Sequence, residues 1–101
     1  MLTTQEKEVV HRMIRIIREG WCQQTYAADD RGGCVDYDSP DAQRWCMLGA
    51  LRLSTFDAHS AAQSIAEKFL NYCRCPMEIF NDFPGRTKEE VITKLEEFAK
   101  C

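Results

Sequence analysis

A chain of 101 residues with 45% hydrophobic and 29% charged side chains can enclose one core, and it leaves no room for a second lobe around an interdomain cleft. That balance excludes disorder, and a net charge of -3 without any Lys/Arg run excludes an extended nucleic-acid surface. No apolar run approaches the ~20 residues that cross a bilayer, and the amino-terminal residues lack the pattern of a secretory signal, so the expectation is a cytoplasmic protein with no membrane contact.

Thr3 and Glu6 stand three apart, the spacing of a capping box, and Val9, Val10, Met13, Ile14, Ile16 and Ile17 follow at helical period. These predict a first helix over 4–19, with Gly20 as its left-handed C-terminal residue. From Trp21 to Ser39 the period disappears. Asp30-Arg31-Gly32-Gly33 carries turn chemistry between Thr25–Ala28 and Cys34–Tyr37, which suits a small hairpin or an ordered loop.

Ser39-Pro40-Asp41 reads as an N-cap, a proline at the first helical position and an acid at the positive helix end, predicting a second helix over 40–53. Its small Gly49 and Ala50 permit the close approach of another helix or a ligand. Asp57 is placed to cap a third helix over 58–73. There Ala58, Ala61, Ala62, Ile65, Ala66, Phe69, Leu70 and Cys73 form an apolar stripe that suggests a tightly packed central helix. Pro76–Asn81 suits one short turn with Met77 and Phe80 inward. After Pro84-Gly85, Thr87 and Glu90 repeat the capping-box spacing ahead of a last amphipathic helix. The expected fold is mainly α: a compact four-helix domain over residues 1–101 with an irregular loop or small hairpin between helices 1 and 2.

The six cysteines, at 22, 34, 46, 73, 75 and 101, are expected as free thiols in a reducing compartment. They and the two histidines lack the short paired spacers of a zinc site. The aspartates of residues 29–41 lack the ligand alternation and terminal Glu of a calcium loop, so neither a metal nor a cofactor is expected. That loop nevertheless concentrates charge: five acids against Arg31 give a local balance of -4.

Trp21, Tyr26 and Trp45 are large amphipathic rings near chain breaks. They either anchor an irregular loop to the core, with each indole N–H needing an acceptor, or form the wall of a pocket for a planar ligand. Arg86 and Thr87 precede a helix start whose free amides attract anions, so they suit a phosphate or carboxylate. The simpler alternative is that Thr87 caps the helix and Arg86 pairs with Asp82 or an acid of the 29–41 loop.

Three clusters together resemble a family of small bacterial and phage proteins classed as a domain of unknown function. They are Trp21-Cys22-Gln23 with Tyr26-Ala27, Asp29 and Val35; Trp45-Cys46 with Gly49-Ala50-Leu51; and Asn81-Asp82 with Gly85-Arg86-Thr87 and Glu90-Val91. The likeness covers about residues 5–99. It implies a compact domain often carried by phages and supplies no catalytic residues; Cys34, the Asp30–Gly33 turn and Cys73-Arg74-Cys75 depart from the pattern.

Three functions follow as expectations. The first is a noncatalytic binding domain for a nucleotide-like or other anionic planar ligand, with Trp21, Tyr26 and Trp45 as the wall and Arg86 and Thr87 as the anion seat. The second is a protein-interaction module, such as a phage-encoded inhibitor of a host defence protein, using the acidic loop and adjacent aromatics. The third is a cysteine-dependent enzyme built on Cys22 or Cys46 with His11, His59 or an aspartate as base; no spacing in the chain encodes such an arrangement.

Overall fold

A computed structural model describes residues 1–56 and 58–101, so the expected cap at Asp57 lies outside the described residues. The order is α1 (Thr4–Glu19), β1 (Ala27–Ala28), β2 (Cys34–Val35), β3 (Arg44–Trp45), α2 (Met47–Ser54), α3 (His59–Cys73), α4 (Met77–Asp82) and α5 (Lys88–Ala99). The chain is thus mainly helical, with five helices among the described residues rather than four: the short turn after Pro76 closes as the six-residue α4. No described helix is long and apolar enough to cross a membrane.

Both capping boxes form as their spacing requires. Thr3 Oγ1 accepts from the Glu6 amide while the Glu6 carboxylate accepts from the Thr3 amide, and Thr87 with Glu90 repeats the exchange at α5. Along α1 the period-3.6 pattern buries Val9, Val10, Met13, Ile14 and Ile17, and this helix packs against both α2 and α5. One apolar cluster draws on all five helices, and within it the Phe69 ring meets Phe80 and Phe98 edge-on at centroid distances of 5.8 and 5.3 Å.

The predicted central helix is peripheral. On α3 only Ile65 and Phe69 are buried, Leu70 is 41% exposed, and Ala62 and Ala66 line an open groove against α2. Alanines bring little apolar area, so the larger aliphatic side chains of α1 and α5 take the centre instead.

The predicted second helix begins seven residues late. Ser39 Oγ accepts from the Asp41 amide and its carbonyl accepts from Ala42, which completes one turn and stops. Beyond it the backbone is claimed by the sheet: Gln43 donates to Ala28, Trp45 to Gly20 and Cys46 to Tyr26. The three strands run in the order β2-β1-β3, all antiparallel, with Ala27 opposite Val35 and Trp45, and Ala28 opposite Cys34 and Arg44. The hairpin suggested by the turn residues therefore exists, and a third strand joins it. The sulfur of Cys46 caps α2 by accepting from the Gly49 amide at 3.3 Å.

Two glycines serve close approach. A side chain at Gly49 would collide with the Tyr26 carbonyl and one at Gly20 with the Gln43 carbonyl, so α2 and the end of α1 lie directly against the sheet. Gly20 is extended (φ -176°) rather than left-handed, which corrects its expected role. Arg74 takes the left-handed turn after α3 instead (φ 60°).

Glu6 also ties α1 to α3, accepting from Lys68 Nζ at 2.7 Å and Ser64 Oγ at 2.8 Å. Burial works to raise its pKa, but Lys68, the Thr3 amide and the Ser64 hydroxyl outweigh it and hold the carboxyl near 2, against an ordinary 4.5. Because the folded value is depressed, this stabilisation is complete above about pH 4.5 and is lost as the pH falls toward about 2. Glu6→Gln should lower stability at neutral pH by ~1.5–3 kcal/mol and flatten the acid limb of a stability-against-pH curve measured by urea melts.

Candidate functional site

The two tryptophan segments meet. Trp21 and Trp45 form a parallel β-bridge, closed by the Trp45 amide on the Gly20 carbonyl at 3.0 Å and the Cys22 amide on the Trp45 carbonyl at 3.3 Å. Their indoles are both satisfied within the chain: Trp45 Nε1 donates to the Tyr37 carbonyl at 2.9 Å and Trp21 Nε1 to Asn81 Oδ1 at 2.8 Å.

Asn81 is fully buried and its side chain makes four hydrogen bonds, the whole capacity of a primary amide. Oδ1 accepts from Trp21 and from the Met47 amide at 3.0 Å, the first residue of α2. Nδ2 donates to the Cys22 carbonyl at 3.1 Å and to Asp82 Oδ1 at 2.9 Å. Around it, Gln23 donates to the Asn81 and Phe83 carbonyls, and Asp82 accepts from the Gln24 amide. The three clusters picked out in the sequence thus converge on one side chain at the end of α4, and they do so as a joint. The chain belongs to DUF6197. The sequence model of this family of unknown function matches residues 1–100. No curated protein and no solved structure gives a match.

In this DUF6197 chain the remaining predicted site residues take no part in the four Asn81 hydrogen bonds, although Arg86 borders the joint, its amide sharing the Phe83 carbonyl with the Gln23 side chain. Tyr26 is 42% exposed, meets Tyr37 edge-on at 6.2 Å, and has the Arg52 guanidinium 5.3 Å from its ring centroid. Gly85 takes the positive φ of +83° that the Pro84-Gly85 turn needs, closed by the Arg86 amide on the Phe83 carbonyl. Arg86 stacks 3.9 Å from the Phe80 ring centroid, donates from Nε to the Phe80 carbonyl at 2.9 Å and approaches Glu90 at 3.9 Å. It pairs with neither Asp82 nor an acid of the 29–41 loop. Beside it lies an open cleft with Glu89, Glu90 and Glu97 against Arg86 and Lys94, a surplus of negative charge. Thr87 is spent on the capping box, and the Glu90 carboxylate occupies the place an anion would take at that helix start.

The thiols are all free. Burial, and after it the adjacent Cys46, pushes the Cys22 thiol up to about 12, and burial raises Cys46 as well. Both therefore stay protonated near neutrality and make poor nucleophiles. Among the described residues no group of three His, Cys, Asp or Glu is placed to hold a metal ion.

The sequence reading missed Asn81 as an organising residue. The available signal was the pair of indole donors, each needing a buried acceptor, set against an Asn-Asp pair directly after an inward-facing Phe80. Asn81→Ala would strand the Trp21 indole, the Met47 amide and the Cys22 carbonyl, so a loss of ~3 kcal/mol or more is expected, visible in a denaturant titration followed by tryptophan fluorescence. Iodoacetamide should label exposed Cys34 first and leave Cys22 and Cys46 unmodified in the native state, with mass mapping as the readout.

Proposed function

We propose that this protein is a noncatalytic protein-interaction module whose contact surface is the acidic segment of residues 29–41, the tip of the β1–β2 hairpin and the connection that follows it to β3, together with the Tyr26 ring. The observation that carries this reading is the way the hairpin is braced. Asp29 Oδ1 accepts from the amides of Arg31 and Gly33 at 2.9 and 2.8 Å, its carbonyl accepts from Gly32 and from Arg44 Nη1, and its amide donates to the Gly33 carbonyl. The Trp45 indole pins the far side at Tyr37. Asp30, Asp36, Asp38 and Asp41 are left exposed on a preformed scaffold, and among the described residues none is in an ion pair.

A rigid charged loop beside an exposed tyrosine has the composition of a recognition surface, because little ordering entropy remains to oppose association. The planar-anion reading finds less support, since both indole donors and the start of α5 are engaged internally and the Arg86 cleft repels anions. Catalysis by Cys22 or Cys46 finds less still, given the raised thiols.

The test compares immobilised wild type with Asp30→Lys/Asp36→Lys/Asp38→Lys in quantitative capture from the source cell at physiological salt. Partners depleted more than ~10-fold by the charge reversal are expected, since like-charge juxtaposition costs several kcal/mol. Identical captures would remove the hairpin from any interface. A nucleotide panel that raised the melting temperature, with the rise abolished by Arg86→Ala, would restore the planar-anion reading in its place.

A further inference from the structure

We infer that the cleft between α1 and α5 receives the acidic hairpin of a second copy of this chain. The inference rests on the reading of the hairpin as a contact surface and names its acceptor. The cleft holds about 550 Å³ above Ile14 and Ala99, and its walls carry Arg15, Arg18 and Lys100 against the single carboxylate of Glu96. Glu96 is already committed to Arg18 at 3.0 Å. Arg15 and Lys100 are exposed and, among the described residues, in no ion pair; Glu19, one turn from Arg15, makes none with it. Lys88 extends the cationic edge by donating to the Arg18 carbonyl at 3.3 Å.

The complementary charge is on the same chain. Residues 29–41 carry a balance of -4 within a net charge of -3, so everything outside the hairpin sums to +1. No ion pair among the described residues joins the hairpin to the cleft within one molecule. The hairpin belongs to the β-sheet and the cleft to the α1–α5 seam, so donor and acceptor are different patches, which close a dimer when exchanged about a two-fold axis and extend a chain when passed head to tail. The segment presents Asp30 beside Arg31 at the β1–β2 turn and Asp36, Asp38 and Asp41 along the connection to β3, all exposed, which suits a cleft whose rim is cationic and whose apolar floor is already buried. Exposed ion pairs are individually weak and screened within ~10 Å at 0.1 M salt, so association should be modest and salt-sensitive.

Sedimentation equilibrium tests this directly. Wild type at ~50 mM salt should show a weight-average mass that rises with concentration and returns to the monomer value at ~0.5 M salt. Asp30→Lys/Asp36→Lys/Asp38→Lys and Arg15→Glu/Lys100→Glu should each be monomeric alone, and an equimolar mixture should associate, because each reversed surface then meets an opposite one. A monomeric wild type at low salt, or reversals that leave association unchanged, would overturn the inference, as would a mixture that fails to recover it. Circular dichroism confirms folding of the variants, and the wild-type salt series decides without them. If wild type is monomeric while the hairpin reversal still depletes captured partners, the interaction module stands and only its self-acceptor is lost.

Discussion

The side-chain amide of Asn81 holds this fold together at its least regular point. A buried primary amide is costly unless all its hydrogen-bonding groups are matched, and here an indole, a helix-start amide, a carbonyl and a neighbouring carboxylate match it completely. Through those four bonds the segment after α1, the start of α2 and the end of α4 share one position. The two close-approach glycines act in the same cause, since Gly49 lets α2 press on the Tyr26 backbone and Gly20 lets the chain leaving α1 press on Gln43. Without the amide its partners lose their matches, and a side chain at either glycine collides with a backbone carbonyl.

Much of the helical skeleton was legible because its determinants are local. Thr3 with Glu6, and Thr87 with Glu90, stand at a spacing that satisfies helix-start amides whatever lies further away, and the apolar period of α1 reports its buried face directly. Where the reading failed, a distant partner decided. Ser39-Pro40-Asp41 has helix-start chemistry, yet the backbone beyond it pairs with strand β1 and with Gly20, and no local pattern announces those acceptors. The alanine stripe of α3 was legible as a face but not as an uncovered one, because its position depends on how much volume α1 and α5 fill. The same limit governs the site: the tryptophans plainly needed acceptors, and the acceptor of Trp21 lies 60 residues away.

The distribution of charge and reactivity follows from that architecture. The joint consumes the indoles and desolvates the adjacent thiols, so the most distinctive residues of the sequence are chemically quiet. What the fold leaves open is electrostatic: carboxylates on a braced hairpin at one place and guanidinium and ammonium groups along a helical seam at another. The small sheet ties the hairpin to the helices, since β1 sits between β2 and β3 and β3 packs through Trp45 against the core.

The long sequence separation within the Asn81 joint also bears on how the chain acquires its structure. Residues 21 and 22 cannot satisfy their donor and acceptor until residue 81 arrives, so the entropy of closing a loop of that length falls due before the reward. Helices α1 and α5 are able to nucleate from their own caps, whereas the tryptophan segment locks late and all at once. During synthesis on the ribosome the Trp45 indole can therefore find the Tyr37 carbonyl within the first half of the chain, whereas the Trp21 indole waits for the fourth helix to emerge.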